Sequence, residues 1–318
     1  MKHLRLSLGL TLGLAGIGAF VGCAAGTTDS TGGAGGATSS TSTSSASGST
    51  TSSTTNGSSS SGFMTGTGGG PPALAEVFFH SPDTLYELDP ISKQVTTIGK
   101  FTGCEVTADF SKTGIMDMAL DKDSTIYVTS HLGLYTVKKE DASCTKIAAG
   151  DYPNSLSFVP AGTLDPNEEA LVGYVVEPNP INKNQYVQIN TTDGKITKIG
   201  NVWTESVVSS GDIVSVKNGP TYLTLKGGDN NECSPNDCLA EVNPQTGKLI
   251  KNYGQIGTYS KIFGFAFWGG SSYGFTSGGQ LFELKIQGNA LITTPVSTAG
   301  GLVFWGAGSS TLAPVVPQ

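Results

Sequence analysis

The sequence predicts an all-β fold for residues 73–318, a β-propeller of five blades closed by a C-terminal strand. A strand–turn–strand pattern recurs with a period of about fifty residues, which is the range of propellers and other repeat arrays. Each copy alternates apolar and polar residues on both sides of a Gly, Asn or Asp turn, as β-hairpins do. No stretch shows sustained helical periodicity. Six or seven blades, some of them degenerate, are the alternative.

The recurring hairpins are predicted to form the third and fourth strands of the blades. They begin at Leu85, Gly133, Gln185, Leu239 and Gln280. The two strands before a hairpin are also visible, from Met116 to Thr129 and from Ile262 to Phe275. Each complete copy therefore supplies the four strands that a propeller blade requires.

The first copy begins late, at Glu76-Val77-Phe78-Phe79, and has no inner strand of its own. The pattern of Gly264–Gly269 is repeated by Gly301–Gly306 near the C-terminus. We therefore expect this C-terminal copy to supply the missing strand and close the ring, which removes exposed sheet edges.

The first hairpin reads Leu85-Tyr86-Glu87-Leu88-Asp89-Pro90 and continues, after a turn, as Gln94-Val95-Thr96-Thr97-Ile98-Gly99. This sequence and its later copies resemble β-propeller domains built from LYxxDPxTGxxTxIG-type repeats. The resemblance covers essentially all of residues 73–318. It implies the propeller architecture and carries no activity with it.

The N-terminus has the features of an export signal. Lys2 and Arg5 precede an uncharged stretch from Leu6 to Gly22, as in a secretory signal. Phe20-Val21-Gly22-Cys23 resembles the lipobox of bacterial lipoproteins, which implies a signal peptide over residues 1–22 and lipid on Cys23. Ordinary secretion and a retained membrane helix are the alternatives.

The residue after the lipidated cysteine influences sorting in that family, where Asp favours retention in the inner membrane. Ala24 stands there in this chain, so the resemblance favours the outer membrane, on its periplasmic or surface face. Residues 23–72 are almost wholly Gly, Ser, Thr and Ala and are predicted to be a disordered tether, since they have too little apolar surface to fold. Such a coil spans about 40 Å on average.

The charge of the chain excludes one class of partner. The net charge is −7, and removal of Lys2 and Arg5 with the signal leaves −9. Arg5 is the only arginine, and the chain has no basic patch, so nucleic acid is not an expected partner. We expect a monomer that is held to a membrane by its lipid and meets an envelope protein or a glycan.

Four cysteines remain after Cys23, and they are predicted to form the disulfides Cys104–Cys144 and Cys233–Cys238. An even number of cysteines suits an exported protein, because that environment is oxidising. A zinc site is the alternative, but the spacing does not contain a CxxC pair.

Alignment of the inner strands gives one informative column, consisting of Asp117, Ser157, Asp212, Gly264 and Gly301. Asp117 and Asp212 are therefore predicted near one mouth of the central tunnel. Paired carboxylates can act as general acid and base in glycoside hydrolysis. They can also hold Ca²⁺ through their oxygens, or they can accept hydrogen bonds from backbone donors.

A set of aromatic residues follows the outer strands on the same face, namely Phe101, Tyr152, Trp203 and Tyr259. They could stack on a sugar or pack between the blades. His80 and His131 fall at turns of this face, where we expect solvated side chains, because further metal ligands are not evident.

The sequence contains no Gly-rich phosphate loop and no HExxH motif; no catalytic residue is predicted, and no cofactor beyond the Ca²⁺ alternative. The expected function is that of a lipid-anchored, non-enzymatic binding or interaction module at the cell envelope. The alternative is a carbohydrate-binding or glycoside-hydrolysing propeller that uses Asp117 and Asp212.

Overall fold

A computed structural model describes residues 76–175, 185–201, 207–228, 231–298 and 300–317. The predicted signal peptide, Cys23, the tether and Trp203 lie outside the described residues. The described residues form five four-stranded antiparallel sheets, which confirms the predicted five-bladed β-propeller.

The strands are numbered in chain order, and their bounds follow blade by blade. Blade 1 contains β1 (Val77–His80), β2 (Thr84–Leu88) and β3 (Val95–Lys100), and a short helix α1 (Phe110–Thr113) follows it. Blade 2 contains β4 (Asp117–Leu120), β5 (Ile126–Thr129), β6 (Gly133–Val137) and β7 (Cys144–Ala149). Blade 3 contains β8 (Leu156–Val159), β9 (Ala170–Val175), β10 (Gln185–Ile189) and β11 (Ile196–Asn201). Blade 4 contains β12 (Val207–Ser215), β13 (Thr221–Gly227), β14 (Cys238–Val242) and β15 (Leu249–Gln255). Blade 5 contains β16 (Ile262–Trp268), β17 (Ser271–Thr276), β18 (Leu281–Gln287) and β19 (Ala290–Val296).

The last strand, β20 (Gly306–Ser309), pairs antiparallel with β1 and becomes the inner strand of blade 1. The predicted closure of the ring by a C-terminal strand is therefore confirmed. The position of that strand was wrong, because Gly301–Trp305 precedes β20 rather than forming it. Phe304 from this segment is buried beside Phe79 and Phe275 in the core instead.

The hairpins form where the sequence provides turn residues. Asn190 and Asn243 each accept a backbone hydrogen bond from the second residue after them, at 2.7 and 2.9 Å, which is the geometry of an Asx turn. Gly194 and Gly247 then adopt the left-handed conformation, with φ of 72° and 69°, which glycine reaches without steric cost.

The core lies between neighbouring sheets, and tyrosines connect the blades at its edge. Tyr186 of blade 3 donates a hydrogen bond from Oη to the carbonyl of Pro244 in a blade 4 turn, at 2.7 Å. Tyr273 of blade 5 donates in the same way to the carbonyl of Pro90 in blade 1, at 3.2 Å. Each ring fills the space between two sheets, while its hydroxyl is satisfied by the next blade.

Both predicted disulfides are present, as Cys104–Cys144 and Cys233–Cys238. The first joins the segment after blade 1 to the outer strand of blade 2. The second closes a small loop before β14. The zinc alternative is wrong, because all four thiols are used in these bonds.

The five inner strands β20, β4, β8, β12 and β16 pack side by side around the axis, each against the inner strands of the two adjacent blades. They run in one direction, from what we call the upper face to the lower face. Since β1 is antiparallel to β20, Glu76 at its start lies at the lower face, where it forms an ion pair of 2.5 Å with Lys139.

The residues after β20, numbers 310–317, form a C-terminal segment that crosses the lower face. Ser310 bridges to Leu120 of blade 2. The carbonyls of Thr311 and Pro314 accept hydrogen bonds of 2.8 Å from Lys217 of blade 4 and Gly269 of blade 5. The C-terminal segment therefore covers the lower end of the tunnel. No helix within the described residues is long and apolar enough to cross a membrane.

Candidate functional site

The upper face contains a cavity of about 470 Å³ on the propeller axis, which we call the axial pocket. Each of the five blades contributes one residue to this pocket. In each blade, that residue comes directly before the residue of the inner strand that lies closest to the axis. These residues are Met116, Asn154, Gly211, Phe263 and Trp305. The pocket therefore forms at the convergence of the strands, which is a usual place for a ligand site.

The rest of the wall comes from the loops of the upper face. Ser111 of α1, Tyr152 and Pro153 before β8, and Val175 at the end of β9 line the pocket. His131 and Asp151 stand at its rim, where the histidine Nδ1 lies 2.8 Å from an Asp151 carboxylate oxygen. The site is thus mostly apolar, with His131 and Asp151 at the entrance.

The innermost axial positions form the floor of the axial pocket. Pairing with the second strand of each blade identifies them as Asp117, Ser155, Asp212, Gly264 and Gly306. The predicted column had Ser157 and Gly301 in place of Ser155 and Gly306, and both assignments were wrong. The backbone of Ser155 pairs with Tyr174 at this level, whereas Ser157 lies two residues further along β8.

Asp117 is completely buried and joins two blades. One carboxylate oxygen accepts a hydrogen bond of 2.8 Å from the backbone N–H of Met118 in its own strand. The other accepts one of 2.6 Å from the N–H of Leu156 in blade 3. This arrangement satisfies backbone donors at the starts of two inner strands, which is the structural role that the sequence left open.

Asp212, in blade 4, is also completely buried and has the same role as Asp117. Its carboxylate accepts hydrogen bonds from the backbone N–H of Ile213, at 2.6 Å, and of Phe265 in blade 5. It also interacts with the backbone of Ala307 in the closing strand. Asp212 therefore connects blade 4 to blade 5 and to the strand that closes the ring.

The two carboxyl groups are electrostatically unusual. Burial raises the pKa of Asp117 well above its usual range, because a charge is costly away from water. Burial also raises the pKa of Asp212, and the nearby charge of Asp117 raises it further. The backbone donors oppose these shifts, since they favour the charged carboxylates, but burial is the larger effect.

His80 was expected to be a solvated turn residue, and this expectation was wrong. Its side chain is fully buried at the end of β1, because β20 covers it. Nδ1 lies 2.8 Å from the carbonyl of Ser81, while Nε2 has no hydrogen-bond partner. Burial lowers the pKa of His80 to about 4, so the ring is neutral at physiological pH.

The described members of the predicted aromatic set do not form an exposed platform. Phe101, Tyr152 and Tyr259 are each less than a tenth exposed, because they pack between the blades. Tyr259 stacks on Phe282 with ring centroids 3.9 Å apart, and Tyr152 donates a hydrogen bond of 3.0 Å to the carbonyl of Gly194. Of these three residues only Tyr152 reaches the axial pocket, at its edge.

Sequence reasoning missed the apolar lining of the pocket, above all Met116, Phe263 and Trp305. Their positions in the sequence could have indicated this role, since each of these residues comes directly before an axial residue. Among the described residues, no three His, Cys, Asp or Glu side chains come close enough together to hold a metal ion. A second cavity of about 560 Å³ lies at the side, between β3 and β19, but its charged residues Lys93 and Glu283 already pair with each other at 3.4 Å.

The fold and the site define a five-bladed β-propeller with an axial pocket on one face. Neither a family model nor a curated protein matches the chain. Among solved structures, a protein of unknown function from Bacteroides caccae is 13% identical, with a TM-score of 0.36, over 72% of this chain and 76% of that chain. The calcium-binding protein regucalcin from Agrobacterium tumefaciens is 15% identical, with a TM-score of 0.37, over 74% and 75%.

PorZ, a surface component of the type-IX secretion system of Porphyromonas gingivalis, is 11% identical, with a TM-score of 0.38, and the match covers 74% of this chain and 27% of that chain. These identities and TM-scores are too low to transfer a ligand or an activity to this chain.

Proposed function

We propose that this protein is a lipid-anchored binding module of the cell envelope, which captures its ligand in the axial pocket without chemical conversion. The observation that carries the proposal is the pocket itself, because all five blades converge on it. Its volume of about 470 Å³ lies within the range of small-ligand sites. It suits a small molecule, or a group that protrudes from an envelope protein or a glycan.

The two ends of the tunnel support this proposal. The C-terminal segment covers the lower face, so the upper face offers the open mouth. The described chain begins at Glu76 on the lower face. The axial pocket therefore opens on the face opposite the start of the described chain.

The disulfides support an exported location, because such bonds persist in oxidising compartments. We propose that Cys23 carries the lipid and that the outer membrane holds the anchor. Metabolic labelling with an alkynyl fatty acid tests this step. The intact chain should be labelled and found with membranes, while Cys23→Ala should lose the label; a labelled Cys23→Ala chain would refute the assignment.

The binding function is tested by a screen of several hundred small soluble compounds for thermal stabilisation of the protein. Asn154 is exposed and lines the axial pocket, so Asn154→Trp should fill the cavity without burying a polar group. Compounds that use the pocket should stabilise the unmodified protein and Asn154→Ala, but not Asn154→Trp. If no compound shows this pattern, the axial pocket is not a small-molecule site.

A further inference from the structure

We propose that the axial pocket selects a small organic cation, an ammonium group carried on an apolar body. This inference rests on the proposed function, and it names the chemical class of the ligand. Three features of the pocket carry it: the apolar and aromatic wall, the charge at the rim and the closed floor.

The wall of the axial pocket is apolar and partly aromatic. It is formed by Met116, Tyr152, Pro153, Val175, Phe263 and Trp305. Trp305 and Phe263 are partly exposed, so they present ring surface to the cavity. Aromatic faces attract cations, tryptophan most strongly, and the attraction increases where water is excluded. Such a wall accommodates an alkylated ammonium group, which an ordinary polar pocket would bind poorly.

The rim supplies a negative charge. Asp151 is the only carboxylate among the described residues that line the pocket, and no lysine is among them. Its side chain is 76% exposed, and one oxygen lies 2.8 Å from Nδ1 of His131. A hydrogen bond from Nδ1 of His131 to this oxygen would orient the carboxylate. Residues 76–318 contain 16 lysines and 24 acidic residues, a net charge of −8, so the field of the whole domain also favours cations over anions.

The floor limits the shape of the ligand. Asp117, Asp212 and His80 lie beneath the pocket with no exposed surface, so an extended chain cannot thread into the tunnel. The C-terminal segment covers the other end. A compact ligand that inserts from the upper face therefore fits, with its cationic group between the aromatic wall and Asp151.

The test uses three probes that share a phenyl group and differ in charge: benzyltrimethylammonium, benzyl alcohol and phenylacetate. Each is titrated by calorimetry into the complete mature chain that carries Cys23→Ser, so that neither lipid nor detergent is present. We expect benzyltrimethylammonium to bind about tenfold more tightly than the other two, because only it gains the cation–π and rim contacts.

Variants assign the binding to named residues. Trp305→Ala should weaken benzyltrimethylammonium binding by about threefold to thirtyfold. Asp151→Asn should weaken it by about two- to fivefold, a modest loss because Asp151 is exposed and screened by water. Asp123→Asn is the matched control, since Asp123 is a 70% exposed carboxylate that pairs with Lys122 in a turn at the lower face. It should leave the affinity unchanged.

The outcomes separate this inference from the proposed function. If benzyl alcohol or phenylacetate binds as tightly as the cation, and Asn154→Trp abolishes that binding, the pocket is a ligand site but does not select cations. If Asp151→Asn and Asp123→Asn weaken binding equally, general charge rather than the rim explains the selectivity. If no probe binds and the compound screen also fails, both proposals are wrong.

Discussion

At the scale of single residues, the floor of the axial pocket sets two physical effects against each other. Asp117 is removed from water, which disfavours its charged form, yet both of its oxygens accept backbone hydrogen bonds, which favour that form. The same conflict exists at Asp212. Burial is the larger effect, so we expect the carboxyls to stabilise the propeller more at acidic pH than at neutral pH.

The variant Asp117→Asn tests this expectation. Because burial raises the pKa of Asp117 above 3.8, the folded chain binds more protons than the unfolded chain between 3.8 and the raised value. The free energy of unfolding must then decrease as pH rises through that window. Asparagine does not titrate, so the stability of Asp117→Asn relative to the unmodified protein should increase from pH 4 to pH 8, by about 1.4 kcal/mol per unit of pKa shift.

Urea denaturation at several pH values measures this difference. Asp123→Asn at the lower face controls for the removal of one negative charge from the chain. If the relative stability of Asp117→Asn is instead constant from pH 4 to pH 8, the pKa of Asp117 is not raised in the folded protein, and the two backbone hydrogen bonds offset or outweigh burial.

At the scale of elements, the hairpins could be predicted from the sequence, whereas the strand that closes the ring at the axis was misplaced by a few residues. The hairpins depend on local signals, such as the Asx turn at Asn190 and the left-handed Gly194, which are visible in a short stretch of sequence. The closing strand was misplaced because Gly301–Gly306 matches Gly264–Gly269 in aromatic content. Only a strand of small residues fits at the axis, because the inner strands converge there. Gly306–Ser309 is small enough for that position, whereas Trp305 has to remain above it in the pocket wall.

The same explanation applies to the candidate site. The sequence identified Asp117 and Asp212 correctly as axial residues, because carboxylates at strand starts are conspicuous. It placed the aromatic residues after the outer strands at the ligand site, although Phe101 and Tyr259 pack between blades. Which rings face the tunnel depends on the packing of neighbouring blades, and no short sequence pattern encodes that packing.

The size limit at the axis makes a testable prediction for β20. A Cβ atom added at Gly306 would lie 2.9 Å from Cα of Asp117 and 2.4 Å from Nε2 of His80, so Gly306→Ala requires the backbone to move. We expect a loss of about 1–3 kcal/mol in the free energy of unfolding, which is the usual cost of overpacking. Gly300→Ala is the control, because a Cβ atom there meets nothing within 4 Å. Equal stability of the two variants in urea titrations would show that the axis is not tightly packed.

At the scale of the whole molecule, the propeller depends on contacts between the two ends of the described chain. β20 pairs with β1 and packs between β4 and β16, so a strand near the C-terminus completes a ring that starts at the N-terminal blade. The residues beyond β20 then cross the lower face. Closure of the ring and coverage of the tunnel are therefore provided by two adjacent pieces of chain, and they can be separated by truncation.

Two truncations test the roles of these pieces. A chain that ends at Trp305 lacks β20, so β1 keeps only β2 as a partner and becomes an exposed edge, and Asp212 loses its contact with Ala307. We expect this chain to lose the cooperative thermal transition and the near-ultraviolet circular dichroism signal of packed aromatic residues. A chain that ends at Ser310 keeps β20 and loses the contacts of Thr311 and Pro314 with blades 4 and 5. It should keep a single transition at a lower temperature, because the ring stays closed while the lower end of the tunnel is uncovered. If the shorter chain melts as cooperatively as the longer one, the remaining blades are stable without closure, and β20 serves the axial pocket rather than the fold.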